Sequence, residues 1–162
     1  MVETYTIRPF FENDWEDLKR LRLEALRKHP SFFNPSRDET KFAESEWKQR
    51  ITNPKNCIFA LLSENRIIGI TGIVTDKDDD TKAHLVMSFI QEEFRQKKLS
   101  KLLYQSRLDW AKARPNLKTL VLDVNEDNVP SMNACQNNGF KLISSYVENG
   151  KKLLTFQLDL KS

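Results

Sequence analysis

The chain is poor in the residues from which most recognisable sites are built. In 162 residues it has four glycines (Gly69, Gly72, Gly139 and Gly150), two histidines and two cysteines. No G-x-G-x-x-G, G-x-x-x-x-G-K-S/T or G-x-S-x-G pattern can be drawn through those glycines, so a dinucleotide fingerprint, a P-loop and a hydrolase nucleophile elbow find no support. His29 and His84 stand alone and Cys57 and Cys135 form no C-x-x-C pair, which sets the expectation of no metal site. Two unclustered cysteines fit a reducing compartment. No apolar stretch is long enough to span a bilayer, and Met1–Tyr5 lacks a basic segment leading into an apolar run. The expectation is therefore a cytoplasmic protein with no membrane partner.

What is present suits one domain over residues 1–162 with a core of its own, since 39% of the residues are apolar and 30% charged. Lys plus Arg less Asp plus Glu is 26 − 23 = +3, an excess that permits an anionic ligand without requiring nucleic acid. The charge is uneven. Asp76-Lys77-Asp78-Asp79-Asp80 is an acidic tip, whereas Arg95 to Lys118 holds eight basic residues and one acidic one.

Hydrophobic periodicity sets the order of elements. Thr4 to Phe10 alternates as an edge strand closed by Pro9. Asn13 or Asp14 then caps a helix with Trp15, Leu18, Leu21, Ala25 and Leu26 on one face, ended by His29-Pro30. A short helix opens at Ser45 and stops before Pro54. From Cys57 the period changes: Cys57 to Ser63 and Arg66 to Thr75 form a hairpin around Glu64-Asn65, and His84 to Gln91 is a third strand. A helix follows from about Leu99 to Ala113, then a strand from Leu117 to Val124 and a short helix from Asn128 to Asn138-Gly139. Asn149-Gly150 turns a final hairpin of Phe140 to Val147 and Lys151 to Leu158. The order is β-α-α-β-β-β-α-β-α-β-β.

Two stretches carry the chemistry. The strand ending Ile90-Gln91-Glu92-Glu93 runs through Arg95-Gln96-Lys97-Lys98-Leu99-Ser100 directly into a helix. Helix-start amides lack internal partners and carry partial positive charge, so basic residues there suit a phosphate or pyrophosphate. Strand Leu120-Val121-Leu122-Asp123-Val124 is followed by Asn125-Glu126-Asp127-Asn128, a short helix and Gly139-Phe140. Together these resemble the GNAT superfamily of acyl-CoA-dependent N-acyltransferases, with its V-N-x-x-N and G-F signatures and its R-x-x-G-x-G/A turn at Arg95–Ser100. Ile7-Arg8-Pro9 and Arg22-Leu23-Glu24-Ala25-Leu26 are similar to that family's opening strand and helix.

The resemblance implies an α/β (α+β) fold: a mixed, mostly antiparallel central sheet flanked by helices, with two splayed parallel strands forming an acyl-CoA cleft. It implies acetyl-CoA as cosubstrate and an amine as acceptor, the amine attacking the thioester directly without metal or covalent intermediate. The backbone of Ser88, Phe89 and Ile90 would pair with pantetheine, with a backbone N–H near Ile90 stabilising the oxyanion. Arg95, Gln96, Lys97, Lys98, Leu99 and Ser100 would hold the pyrophosphate, and Asn128 would contact the cofactor.

The chain departs from the family pattern at two points. Lys98 and Ser100 stand where glycines are usual, so the phosphate cradle is expected to be reshaped. Cys135 stands where a tyrosine general acid is common; it serves either as a proton donor or as a packing residue. His84, Glu24 and Asp123 are candidate bases, each with an equally ordinary structural role. Phe32, Phe33 and Trp47 fall in the region that shapes the acceptor site in similar proteins, or pack the core. The leading reading is an N-acetyltransferase acting on a primary amine, as a monomer or homodimer. Its alternative is an acyl-CoA-binding or regulatory module without efficient turnover. Nucleic-acid binding through the basic 95–118 face lacks any reading motif.

Overall fold

A computed structural model of the chain describes residues 4–30, 37–95 and 98–160. Among them run β1 (Tyr5–Pro9), α1 (Trp15–Lys28), α2 (Glu44–Thr52), β2 (Asn56–Ser63), β3 (Arg66–Thr75), β4 (Lys82–Ile90), α3 (Ser100–Lys112), β5 (Thr119–Asn125), α4 (Val129–Asn137), β6 (Lys141–Glu148) and β7 (Lys151–Asp159). The strands form one sheet in the order β1-β2-β3-β4-β5-β7-β6, antiparallel throughout except for the β4–β5 pair. This is the mixed, mostly antiparallel sheet that the sequence led us to expect.

Two hairpins pin its register. Glu64 and Asn65 take φ of 52° and 81°, and Asn149 and Gly150 take 52° and 76°. Two successive left-handed residues give the turn whose twist matches that of the flanking strands. Helices cover both faces. Leu18, Leu21 and Ala25 of α1 and Trp47 of α2 pack on Ile58, Ala60, Ile70 and Phe89. On the other side, Tyr104 and Ala111 of α3 and Cys135 of α4 pack on Phe59, Ile73, Leu120, Val124 and Phe156. Trp47 is fully buried, with its ring centroid 5.4 Å from that of Phe42, so it packs the core.

The expected cap of α1 takes another form. The Asp14 carboxylate reaches back to Phe11 N–H and to Arg8, both at 2.8 Å, rather than forward into the helix. The strongest polar tie between the helices is buried. Arg22 of α1 donates twice to Glu39, at 3.1 Å each, and Arg50 of α2 donates once at 2.8 Å. Burial alone would raise the Glu39 carboxyl, but hydrogen bonds and charge from Arg22 and Arg50 outweigh it and hold the group below its ordinary value. The contribution of Glu39 is thus complete above the ordinary carboxylate range and is lost as pH falls through the lowered folded value. Glu39→Gln is expected to cost about 3 kcal/mol, because two arginines lose their buried partner. Denaturant titrations over acidic pH should show that the variant loses less stability on acidification than the parent; parallel pH profiles would refute this assignment.

Candidate active site

The site begins where two strands part. β4 and β5 pair only at Lys82–Thr119, Ala83–Leu120 and His84–Val121. Beyond that point residues 85–90 and 122–125 have no partner across the gap. A bulge in β4 accompanies the divergence: the register with β3 passes from Ile70–Phe89 to Gly72–Val86, so Met87 and Ser88 together oppose Thr71. Met87 takes φ of 47°, and the Ser88 and Thr71 hydroxyls lie 2.6 Å apart. An extra residue sharpens local twist and turns the strand end away from its neighbour. Gly69 lets β3 follow that turn, since a Cβ there would sit 3.0 Å from the Phe89 carbonyl oxygen and 3.2 Å from Leu61.

The register also decides which backbone groups face the gap. Gln91 N–H donates to the Ile68 carbonyl at 3.0 Å, which makes Gly69–Ile90 a non-hydrogen-bonded pair. Ile90 therefore turns its amide and carbonyl toward the gap, while Phe89, paired with Ile70, turns its own toward β3. The expectation that three consecutive residues present their backbone to one ligand is corrected for Phe89, because successive residues of a strand face opposite edges. The Phe89 side chain is buried against α1. Ile90 carbonyl accepts Arg95 Nε at 2.7 Å, which leaves its amide as the group offered to the gap.

The chain then enters α3 at Ser100. Leu99 occupies the N-cap position without a side-chain cap, and the first turn contains no acidic residue. The first turns of α1 and α2 each contain two acidic residues, so those helix starts are already compensated. The unpartnered amides of α3 and the positive end of its dipole are left for an anion beside the gap.

Residues 15–140 match the family model for the acetyltransferase (GNAT) family. The chain belongs to that family. No curated protein matches it in sequence. Solved structures show the same fold. A GNAT-family acetyltransferase from Streptococcus pneumoniae is 19% identical with a TM-score of 0.79, the match covering 98% of this chain and 100% of that one. The spermidine N-acetyltransferase of Vibrio cholerae, in complex with CoA and spermine, is 17% identical at a TM-score of 0.77, over 96% of this chain and 95% of that one. NAA60 of Arabidopsis thaliana, in complex with acetyl-CoA, is 17% identical at 0.73, over 97% of this chain and 99% of that one.

Against the GNAT pattern, Lys98 is informative. It takes φ of 60°, a left-handed conformation that glycine adopts freely and lysine adopts at a cost of roughly 1–2 kcal/mol. The lysine thus adopts a backbone conformation suited to glycine. Lys98 and Ser100 are exposed, whereas the Leu99 side chain is buried on Leu61, Ile68 and Leu103. Gln96 and Lys97 lie outside the described residues. Arg95 is engaged in the protein itself: besides Ile90, it donates to His29 Nε2 at 3.1 Å and lies 5.3 Å from the Phe89 ring. Burial, followed by the charge of Arg95, lowers the His29 pKa below its ordinary value, so the ring is neutral at neutral pH. Sequence reasoning treated His29 only as a helix stop, because nothing in the chain pattern places the end of α1 beside Arg95.

The other candidates fall into two groups. Glu24 is half-buried on α1, and Asp123 is exposed. Glu24 lies on the flank of α1 opposite Arg22, with buried Oε2 unpartnered and Oε1 4.0 Å from Lys28. Asp123 stands on the diverging part of β5, exposed, accepting from Tyr146 at 2.9 Å and Thr155 at 2.8 Å. Others serve the scaffold. His84 sits at the last paired position and is bound to Asp76 at 2.7 Å. Asn128 caps α4, its side chain accepting from Ser131 N–H at 3.4 Å. Cys135 is completely buried, donates to the Met132 carbonyl at 3.2 Å, and has its thiol pushed up to about 11 by burial. Phe32 and Phe33 lie outside the described residues.

Two measurements check these placements. Lys98→Gly should raise the unfolding free energy by up to about 1 kcal/mol, with Lys98→Ala near neutral, since only glycine relieves the left-handed backbone. A glycine variant less stable than the alanine variant would contradict the conformation. Cys57, whose thiol burial also pushes up to about 11, and Cys135 should both resist a disulfide reagent in the native protein and react fully once it is unfolded.

Proposed function

We propose that this GNAT chain transfers the acetyl group of acetyl-CoA to a primary amine by direct attack within a ternary complex, residues 1–162 acting as one domain. The observation that carries this reading is the coincidence of the β4–β5 gap with the uncapped start of α3. Pyrophosphate would rest on the amides at the start of α3 beside Lys98, and pantetheine would extend along β4 past Ser88 and Ile90. The amine nitrogen attacks the thioester carbonyl carbon and forms the C–N bond. The Ile90 N–H would stabilise the resulting oxyanion, and cleavage of the C–S bond releases CoA as a thiolate. The ammonium proton goes to water. Cys135 takes no part as an acid in this scheme, because its thiol is enclosed by the core.

Glu24 is assigned to the acceptor ammonium, on the strength of its buried, unpartnered Oε2. A polyamine and a protein amine are the first acceptors to try, given a spermidine acetyltransferase and a ribosomal L7/L12 α-N-protein acetyltransferase among the similar structures. A second reading, a binding module without turnover, draws on the strained Lys98 and on the burial of Cys135.

Calorimetry should show saturable binding of acetyl-CoA, stronger than that of ATP. Ser100→Asp should weaken binding by about tenfold or more, because the new carboxylate competes for the helix dipole that phosphate would use. No heat with the parent, or an unchanged affinity in the variant, would overturn the cofactor assignment. Thiol release across an amine panel then separates an enzyme from a module. For an active amine, Cys135→Ala should leave the pH profile of turnover unchanged.

A further inference from the structure

We infer that Arg95, held by His29, is the positioning residue that aims the Ile90 N–H at the thioester carbonyl, an inference that rests on the acetyl-CoA reading above. Two peptide groups fix the direction of Ile90. The Phe89 carbonyl oxygen points toward β3, since a Cβ on Gly69 would lie 3.0 Å from it. In a trans peptide the N–H runs opposite to the carbonyl, so the Ile90 N–H points away from β3, toward the gap. The next peptide is held from both sides. Gln91 N–H donates to the Ile68 carbonyl at 3.0 Å, and the Ile90 carbonyl accepts Arg95 Nε at 2.7 Å. β5 offers no ladder at this level, because its pairing with β4 ends at His84. Arg95 therefore supplies, on the gap side, the hold that a neighbouring strand gives elsewhere in the sheet.

Arg95 is fixed in turn by α1. Its guanidinium lies 5.3 Å from the Phe89 ring centroid, and Nη2 donates to His29 Nε2 at 3.1 Å. His29 closes α1, its backbone N–H donating to the Ala25 carbonyl at 2.9 Å, and its ring centroid lies 6.2 Å from that of Phe89. A guanidinium only donates, so Nε2 is the bare nitrogen of a neutral ring, and an imidazolium has no acceptor to offer. Burial first, then the charges of Arg95 and Lys28, lower the His29 pKa against the opposing charge of Glu92. Lys151 of β7 reaches the neighbouring Pro30 carbonyl, at 3.1 Å. As pH falls through the lowered value the ring gains a proton, and Arg95 loses its acceptor and meets a like charge. The line from α1 through Arg95 to Ile90 is then broken. Arginine suits the position because its planar fork serves two acceptors at once, which the single ammonium of lysine does not.

Isotope-edited infrared spectroscopy of acetyl-CoA labelled at the carbonyl carbon reads this polarisation directly and needs no acceptor amine. Bound to the parent at neutral pH, the carbonyl band should lie below that of free acetyl-CoA. Arg95→Lys keeps the charge without the fork, and His29→Phe keeps a ring without the acceptor. Each should lose about half of the shift or more, while acetyl-CoA affinity stays within about threefold of the parent. His29→Gln, whose side-chain oxygen accepts, should retain the shift. On acidification the parent should lose its shift and His29→Gln should keep it, a difference that a merely structural His29 would not produce. Circular dichroism and thermal midpoints confirm that each variant is folded. A parent that binds no acetyl-CoA would overturn the cofactor assignment and the positioning role together. Binding with an unshifted carbonyl, a shift retained in both Arg95→Lys and His29→Phe, or equal acid responses of parent and His29→Gln would overturn the positioning role alone. An affinity loss of about tenfold in Arg95→Lys with the shift intact would overturn it too, making Arg95 a phosphate ligand.

Discussion

Everything that distinguishes one end of this sheet from the other depends on β4 and β5 ceasing to pair after His84 and Val121. A parallel pair that continued to Ile90 would bury its edge groups in a ladder, leaving no wedge and no free amide beside α3. Parting is possible because each strand has another partner. β4 keeps β3 to its end through the bulge at Met87–Ser88, and β5 is paired along its whole length with β7. The unpaired inner edges are thus tolerated by two well-supported half-sheets. The helices reinforce this division, with α1 and α2 packed under the β2–β4 half and the aromatic core of α3 and α4 bridging to β5 and β7.

The charge arrangement at the gap follows from the same geometry. A basic turn read from sequence suggests that arginine and lysine side chains do the binding. In the fold, Arg95 is drawn back to Ile90 and His29, so it orders the end of β4. Among the described residues, the groups left to face an anion there are the helix-start amides and Lys98, whose backbone is left-handed.

Periodicity and turn chemistry made most of the architecture legible, since they report local constraints. The two hairpins were marked by Glu64-Asn65 and Asn149-Gly150, and all four residues take the positive φ that such turns require. The change of period at Cys57 located the sheet. The pattern of residues 84–140 identified the family and thereby the parallel pair. What the sequence hid was long-range. It could not show that the end of α1 meets Arg95, that Cys135 faces the core, or that Phe89 and Ile90 turn their backbones to opposite edges. Each of these depends on register or helix rotation, which adjacent residues along the chain do not determine. Asp14 illustrates the local limit: its type and place suit a cap, yet the carboxylate is claimed by Arg8 and Phe11.

Backbone strain offers an independent view of where function lies. Five non-glycine residues in the described chain have positive φ. Three of them, Glu64, Asn65 and Asn149, are hairpin tips where the turn demands it. The remaining two are Met87 and Lys98, and they bracket the gap, one at the β4 bulge and one at the entrance to α3. Neither is a turn residue by type, and methionine and lysine gain nothing from that conformation. Such positions persist only where surrounding structure over-determines them, and they gather at sites that need a particular backbone direction. At Met87 the requirement is to swing the strand away from β5; at Lys98 it is to aim the helix start at the opening. The two strained residues therefore mark the same wedge that the register identifies, by a criterion that uses neither charge nor family likeness.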